Sequence, residues 1–163
     1  HLTAMLHARE LDLAVLFDTR LHQARQATGA RRWDMAPLLE EDLFLICARD
    51  RWEGPGHPRG QQLPETITVA ELVQEPLILP TGPHGLRSTL DTAFARDRVA
   101  PHVVLEVDSL AMVMAAVDAG LGSTVQPWAA MGRYPDAAER FQCARLTDAP
   151  ARRVNLLCSL GLT

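Results

Sequence analysis

Two strand-to-helix turns carry the residues best suited to bind a small anion. The first turn follows the apolar run Leu77–Leu79, and the second begins at Ser109, directly before an apolar stretch with helical spacing. Backbone N–H groups at the start of a helix lack a partner within that helix, and the helix dipole favours negative charge there. A carboxylate or sulfonate is therefore the expected ligand. The first turn supplies four candidate ligand-binding residues, namely Thr81, Gly82, His84 and Gly85.

Three further candidates lie at other predicted strand ends. Gln126 ends a short apolar strand, and Phe17 and Asp18 end the first strand of the chain. Ligands of open α/β sheets collect beyond the carboxyl ends of the strands, so these side chains belong to the predicted site. Structural alternatives stay open: helix capping for the hydroxyl residues, solvent exposure for the histidine, a backbone partner for the glutamine and core packing for the phenylalanine.

The sequence lacks the usual motifs of catalysis. The segment Gly120–Gly122 has no third glycine of a dinucleotide fingerprint, and it follows a helix rather than a strand. No nucleophile turn of the Gly-x-Ser-x-Gly type occurs. The histidines and cysteines lack metal-ligand spacing, and no partner can be assigned to the strand-associated carboxylates Asp12, Asp18 and Asp108. We expect no metal, no cofactor and no enzymatic activity.

Composition and charge are those of an ordinary globular protein. The 163 residues are 47% hydrophobic and 22% charged, with a net charge of −4 and a pI near 5.8. A nucleic-acid-binding domain would need clustered Lys and Arg, which this composition does not provide. No apolar run reaches the length of a membrane span and no signal peptide is recognised, so we expect no membrane contact. Three widely spaced cysteines favour a reducing, cytoplasmic setting.

Strands and helices alternate in the second half of the chain. Strands are predicted at 77–79, 102–107 and 123–126, and helices at 86–98 and 110–121. Gly120 is placed to end the second helix in a left-handed conformation. This order implies parallel strands joined by right-handed crossovers. Upstream of the block, Thr68 and Glu71 have the spacing of a capping box.

The flanking segments predict a second lobe. Further apolar strands are expected at 11–17, 43–48 and 154–160, and a loop rich in Gly and Pro covers 51–64. We predict an incomplete first lobe, lobe I, from residues 1–47 and 151–163, and a second, lobe II, from 48–150. The strands at 43–48 and 154–160 would cross between them. The predicted fold class is α/β, with two Rossmann-like lobes joined by two crossing strands.

Three segments resemble the effector-binding domain of LysR-type transcriptional regulators, namely Glu10–Val15, Pro37–Leu43 and Asp108–Pro127. Their order and separations match that family over most of the chain. The turn Pro80–Arg87 is similar to that of a branch that includes nitrogen and aryl-sulfonate regulators. The resemblance implies a type 2 periplasmic-binding-protein-like fold. It also implies an excerpt of a longer chain, truncated N-terminally in the first lobe and without the family's winged helix-turn-helix and linker helix.

The same resemblance implies a ligand-sensing function. A small molecule, anionic and either aromatic or aliphatic, would bind in the cleft between the lobes and shift the balance of open and closed states. The domain would form a homodimer or homotetramer through the helix at 86–98, with Phe94 and its exposed neighbours as candidate contacts. DNA would be reached only through the helix-turn-helix outside this sequence. The sequence identifies neither the effector, nor the promoter, nor whether the regulator activates or represses.

Two other functions fit the same architecture. A transport-type periplasmic solute-binding protein would share the two lobes and would carry a signal peptide upstream. A small α/β enzyme would turn over a compound in its cleft, and changing one carboxylate or histidine would abolish that turnover. A helix-turn-helix upstream of the sequence would favour the regulator.

Overall fold

The computed structural model describes residues 2–17, 34–50, 62–82, 85–150 and 152–158. Its α-helices are α1 (Leu2–His7), α2 (Gly85–Asp97), α3 (Leu110–Asp118) and α4 (Ala137–Arg140). Its strands are β1 (Leu13–Phe17), β2 (Asp34–Glu41), β3 (Leu43–Ala48), β4 (Thr66–Ile67), β5 (Pro76–Leu79), β6 (His102–Glu106), β7 (Thr124–Pro127), β8 (Phe141–Leu146) and β9 (Arg152–Cys158). Short 3₁₀ helices cover Ala70–Gln74 and Trp128–Met131.

The chain forms two compact units. The first contains His1–Glu41 and Ala151–Thr163, and the second contains Asp42–Pro150. This division differs from the predicted one at β3, which the sequence analysis assigned to the first lobe. In the structure β3 lies inside the sheet of the second unit, where it pairs with β7 on one side and with β8 on the other.

The first unit is built on a three-stranded antiparallel sheet in the order β1-β9-β2. One face of β1 packs on α1 through Leu6, Ala14 and Leu16, which are all buried. Arg152 is only 8% exposed and lies opposite Glu41 in the sheet, with 3.8 Å between its Nη1 and the carboxylate Oε2. The pairing offsets part of the cost of burying the guanidinium.

The second unit contains the predicted alternation of strands and helices. Its four-stranded sheet has the order β4-β8-β3-β7, and β5 pairs with β6 in parallel. A parallel bridge between Leu77 and Ser123 joins β5 to β7. The Ser123 N–H donates to Pro76 O at 2.8 Å, and the Ile78 N–H donates to Ser123 O at 2.7 Å. The predicted parallel arrangement of these strands is confirmed, and so is the α/β fold class.

Helices cover both faces of this sheet. On one face, Leu86, Leu90 and Phe94 of α2 pack into a core that includes residues of β3 and β5. On the other face, Val113 and Met114 of α3 pack with further residues of the same strands. Phe94 is only 3% exposed, so the prediction that it contacts a second subunit is wrong. Its spacing places it on the inward stripe of α2, where burial of the ring stabilises the fold by roughly 1.5–3 kcal/mol.

Two local signals in the sequence are confirmed. The Thr68 N–H donates to Glu71 Oε2 at 2.7 Å, and the Glu71 N–H donates back to Thr68 Oγ1 at 3.4 Å, which is a capping box. These bonds from Thr68 lower the pKa of the Glu71 carboxyl below its ordinary value. Gly120 has a φ of 74°, and the Leu121 N–H donates to Ala116 O at 3.0 Å, so α3 ends where the sequence predicts.

A membrane-crossing helix is not found in the part of the chain that the structure describes, since none there is both long and apolar enough.

Candidate functional site

The two predicted turns meet at one edge of the second unit. Strands β5 and β6 are parallel neighbours, so both turns follow their carboxyl ends. The Val107 N–H donates to Leu79 O at 3.0 Å, which extends the pairing beyond the end of β6. Thr81 and Asp108 follow directly, one from each strand. This edge is where ligands of open α/β sheets bind.

Asp108 accepts hydrogen bonds from both donors of Thr81, the backbone N–H and the hydroxyl. The Thr81 N–H donates to Asp108 Oδ1 at 2.9 Å. The Thr81 hydroxyl lies 2.7 Å from Oδ1 and 2.9 Å from Oδ2 of the same carboxylate. Hydrogen bonds to a charged group contribute roughly 1.5–3 kcal/mol each, so this contact fixes the two turns relative to each other.

This contact changes the expected role of Thr81. From the sequence, its hydroxyl could either cap the next helix or donate to an anion. In the structure α2 begins four residues later, at Gly85, and both donors of Thr81 point to Asp108. A protein carboxylate therefore takes the position that an anionic ligand was expected to occupy at this residue.

Ser109 keeps its hydroxyl available. It is the N-cap residue of α3, with extended φ and ψ of −88° and 116°, and its side chain makes no capping hydrogen bond. Its carbonyl accepts the first intrahelical bond from the Val113 N–H at 2.9 Å. The side chain is exposed, so the hydroxyl and the first N–H groups of α3 form a donor set next to the Asp108 carboxylate.

Arg87 is committed to neighbouring carboxylates. Its Nε donates to Asp91 Oδ1 at 2.8 Å, an i, i+4 pair on α2, and its Nη1 also contacts Glu106. The same Nη1 donates to Pro80 O at 3.1 Å. The bond to Asp91, followed by that to Glu106, raises the pKa of Arg87, although partial burial acts in the opposite direction. Arg87 therefore anchors α2 to the strand ends and is not free to hold an anion.

The other predicted residues of these turns differ in what the structure describes. Gly85 is the first residue of α2, and its carbonyl accepts a bond from the Thr89 hydroxyl at 3.1 Å. Gly82 is exposed, and a Cβ built on it would meet no atom within 4 Å. A ligand could therefore approach the backbone of Gly82 closely. His84 lies outside the described residues.

Gln126 lies at the same edge of the sheet, in β7 beside β5. It is 7% exposed and faces Phe44 across the β3–β7 pair. That Phe17 and Asp18 belong to the site stays a prediction. Phe17 ends β1 in the first unit, where its backbone pairs with Val154, and its side chain and all of Asp18 lie outside the described residues.

Sequence reasoning missed the role of Asp108. The residue was recognised as a strand-associated carboxylate, but its partner is 27 positions away and no local pattern connects the two. The only available signal was that each residue follows a strand of the same parallel pair. Together with Asp91 and Glu106, Asp108 gives this edge three carboxylates against the guanidinium of Arg87.

Metal-binding clusters and reactive thiols are absent from the described residues. Within the described ranges, no three His, Cys, Asp or Glu side chains are placed to hold a metal ion. Burial, followed by the charge of Glu75, raises the pKa of the Cys47 thiol to about 12. Burial also raises the pKa of Cys143, against the opposing effect of Arg49. Both thiols are therefore protonated and weakly nucleophilic at neutral pH.

We predict that Cys47 resists alkylation in the folded protein. With a pKa of about 12, its thiolate fraction at pH 7 is on the order of 10⁻⁵, and its side chain is buried. Iodoacetamide should label it at least about 100-fold more slowly in buffer than in denaturing urea, as measured by peptide-resolved mass spectrometry. Cys143, which is half-buried, is the internal comparison and should be slowed less. Equal labelling of Cys47 in both conditions would contradict the structure.

The family of the chain follows from comparison with known proteins. The model of the LysR substrate binding domain matches residues 1–161, so the chain belongs to this family. The nitrogen assimilation regulatory protein nac of Escherichia coli is 30% identical over 154 residues. That alignment covers 94% of this chain and 42% of nac, so the chain spans less than half the length of this relative. The resemblance to effector-binding domains of LysR-type regulators is confirmed.

Solved structures support the same fold. The Corynebacterium glutamicum OxyR C206 mutant is 24% identical, with a TM-score of 0.71 over 100% of this chain and 46% of that chain. The effector-binding domain of QuiR in complex with shikimate is 16% identical, with a TM-score of 0.71 over 99% of this chain and 68% of that chain. With these neighbours, the predicted type 2 periplasmic-binding-protein-like fold is confirmed.

Proposed function

We propose that this domain senses a small hydroxylated or aminated carboxylic acid at the edge formed by the Thr81 and Asp108 turns, and that binding changes the activity of a transcriptional regulator. The observation that carries the proposal is the Asp108 carboxylate, which accepts hydrogen bonds from Thr81. It lies next in sequence to Ser109, whose hydroxyl makes no capping hydrogen bond. Such a site binds a ligand and alters conformation, without covalent chemistry on the ligand.

The donors and acceptors of this edge define the ligand class. Asp108 accepts hydrogen bonds, so it favours a ligand hydroxyl or ammonium group over a second carboxylate. Ser109 and the first N–H groups of α3 donate, so they favour an anionic group on the same ligand. A molecule with both features satisfies the edge, whereas a simple carboxylic acid leaves Asp108 facing like charge. The expected ligand is therefore an anion that also carries a hydroxyl or ammonium group.

The relatives are compatible with this ligand class. Shikimate, the ligand of the QuiR domain, is a carboxylic acid that also carries hydroxyl groups. The relative nac is a regulatory protein of nitrogen assimilation, which favours the regulator over the transport-type alternative and over an enzyme. Binding in a cleft between the lobes, with Gln126, Phe17, Asp18 and His84 as further contacts, stays a prediction.

The partners of the whole protein are also proposals. The regulator is expected to act as a homodimer or homotetramer in the cytoplasm and to reach DNA through a separate helix-turn-helix. In the second unit, the exposed strand β6 is the best candidate for a subunit contact, since Val104 is 43% and Leu105 38% exposed. Unpartnered apolar side chains on an edge strand favour pairing with another chain.

A thermal-shift screen of small acids tests the ligand class. Each acid with a hydroxyl or amino group is paired with the analogue that lacks it, for example shikimate with cyclohexanecarboxylate. We expect the stabilising compounds to come from the hydroxylated or aminated half, because a ligand that binds the folded state raises its melting temperature by mass action. Stabilisation by unsubstituted acids alone would contradict the proposal.

Ser109→Ala provides the test of position. Loss of one hydrogen bond to a charged ligand group should weaken binding of the best acid by roughly tenfold or more in calorimetry. The melting temperature without ligand should be unchanged, because the hydroxyl caps no helix. Ser88→Ala, an exposed serine in α2, is the matched control and should bind as the unaltered protein does. Unchanged affinity in Ser109→Ala would move the ligand away from this turn.

A further inference from the structure

A second cavity lies in the second unit, apart from the two turns. It has a volume of about 520 Å³, which is within the range of small-molecule sites. Its wall combines aromatic and apolar side chains with one cation, and includes Arg49, Leu63, Trp128, Met131, Phe141 and Cys143. Neither Thr81 nor Asp108 nor Ser109 contributes to it.

The rim of this cavity is held in place by Gln142. Its Nε2 donates to Arg49 O at 2.9 Å, and its Oε1 accepts from the Leu63 N–H at 2.7 Å. The Arg49 N–H also donates to Arg140 O at 2.8 Å. These bonds connect segments that are far apart in sequence and hold the described backbone on this side of the cavity together.

Arg49 supplies positive charge that no described residue neutralises. Its side chain is exposed and makes no ion pair or hydrogen bond with the described part of the chain. Nearby Arg140 differs, because it pairs with Asp136 at 3.1 Å and with Asp118 at 3.6 Å. The charge of Arg49 acts on Cys143 inside the cavity, since it opposes the rise that burial causes in the pKa of that thiol.

Trp128 supplies an aromatic surface. It is 59% exposed, although a ring of this size normally buries most of its area. Its ring packs edge-on against Phe44, with 5.4 Å between the ring centroids. The floor is apolar, since Met131 is 6% and Phe141 3% exposed. An exposed ring above an apolar floor and next to a guanidinium matches a flat aromatic anion.

We propose that this cavity is a second ligand site, which takes an aromatic carboxylate with its ring against Trp128 and its carboxylate on Arg49. The ligand differs from the hydroxylated acid of the first site, since the described wall of the cavity offers a cation and apolar surface but no carboxylate. Binding involves no covalent step. The domain would then bind two chemically distinct compounds at two separate sites.

The probe is naphthalene-1-carboxylate, with the neutral naphthalene-1-carboxamide as its matched partner. We expect calorimetry to show that the acid binds about tenfold or more tightly than the amide, as for a charge-assisted bond to a guanidinium. In Arg49→Gln the acid should lose that advantage and bind as the amide does. Arg98→Gln, an exposed arginine outside the cavity, should leave the advantage intact.

Two further measurements locate the site. The indole N–H resonance of Trp128, assigned with Trp128→Phe, should shift on titration with the acid. Ala138→Phe places a ring in the cavity wall and should abolish binding, while the Ser109→Ala variant should bind the probe normally. Equal affinity for acid and amide, an unmoved Trp128 resonance, or unaltered binding by a folded Ala138→Phe protein would each overturn the proposal. None of these results depends on the ligand of the first site.

Discussion

Gly122→Ala will destabilise the second unit by about 2–4 kcal/mol, as the sum of overpacking and a weakened hydrogen bond. A Cβ at this position would lie 2.5 Å from the backbone oxygen of Pro76 and 3.2 Å from Ile78 Cγ1. The backbone at Gly122 cannot move away from Pro76 without loss, because the adjacent Ser123 N–H donates to that same Pro76 oxygen at 2.8 Å. Urea unfolding, followed by the fluorescence of Trp128 with Trp33 and Trp52 replaced by Phe, measures the loss.

Gly82→Ala is the matched control for this prediction. A Cβ at Gly82 would meet nothing within 4 Å, and its backbone is not in the left-handed region. The free energy of unfolding should therefore change by no more than about 0.5 kcal/mol. If both substitutions cost the same, the close approach of β7 to β5 at Gly122 does not exist.

The two glycines of the Gly120–Gly122 segment show what local sequence can reveal. Gly120 follows an apolar helical stripe, so its left-handed role as a helix terminator is readable from the sequence alone. Gly122 is required by a strand that comes from residues more than forty positions upstream, and no local pattern contains that strand.

Helix α3 likewise has features that the local sequence predicts and others that it does not. The 3–4 spacing predicts the inward face correctly for Val113, Met114 and Val117, all of which are at most 1% exposed. The predicted helix at 110–121 would also place Leu110 and Leu121 on this face, but they are 41% and 63% exposed. Leu110 opens the helix and Leu121 lies beyond its end, so periodicity overextended the buried face at both termini.

Strand position within a sheet was not predictable from composition. Strand β6 has the apolar pattern of a core strand, yet Val104 and Leu105 are exposed because β6 pairs on one side with β5 and lies at the edge of the described sheet. Likewise β3 reads as a crossing strand of the first lobe but pairs within the second unit. Both outcomes depend on which strands pair, and pairing is a property of the whole chain.

The sequence predicts where the two turns meet but not the carboxylate that joins them, and the binding of a ligand there stays a prediction. The rule that ligands gather beyond parallel strand ends identified both turns, and the structure joins Thr81 to the second of them. The helix-terminus argument then predicted a pure anion site, because it counted donors and could not include a carboxylate from the other turn. Adding Asp108 converts a site of donors into a mixed site of donors and acceptors.

Asp108→Ala should weaken binding of the best hydroxylated or aminated acid by roughly 10- to 150-fold, which corresponds to one hydrogen bond to a charged group. Charge repulsion alone predicts tighter binding in Asp108→Ala, since the substitution removes a negative charge from the neighbourhood of an acid. At an exposed residue such repulsion amounts to about 1 kcal/mol at 4 Å and is reduced further by salt. The hydrogen bond is the larger of the two effects, so we expect a net loss of affinity.

Asp91→Asn separates these two effects. This substitution removes the Asp91 carboxylate charge from the same edge and so weakens its pair with Arg87. It leaves the contact of Thr81 with Asp108 in place. Affinity for the acid should stay the same or rise slightly in this variant. Asp108→Asn should fall between Asp108→Ala and the unaltered protein, since its amide oxygen can still accept from Thr81 or from the ligand. Tighter binding in Asp108→Ala than in the unaltered protein would mean that the carboxylate only repels the effector, and the donor-bearing ligand class would have to be abandoned.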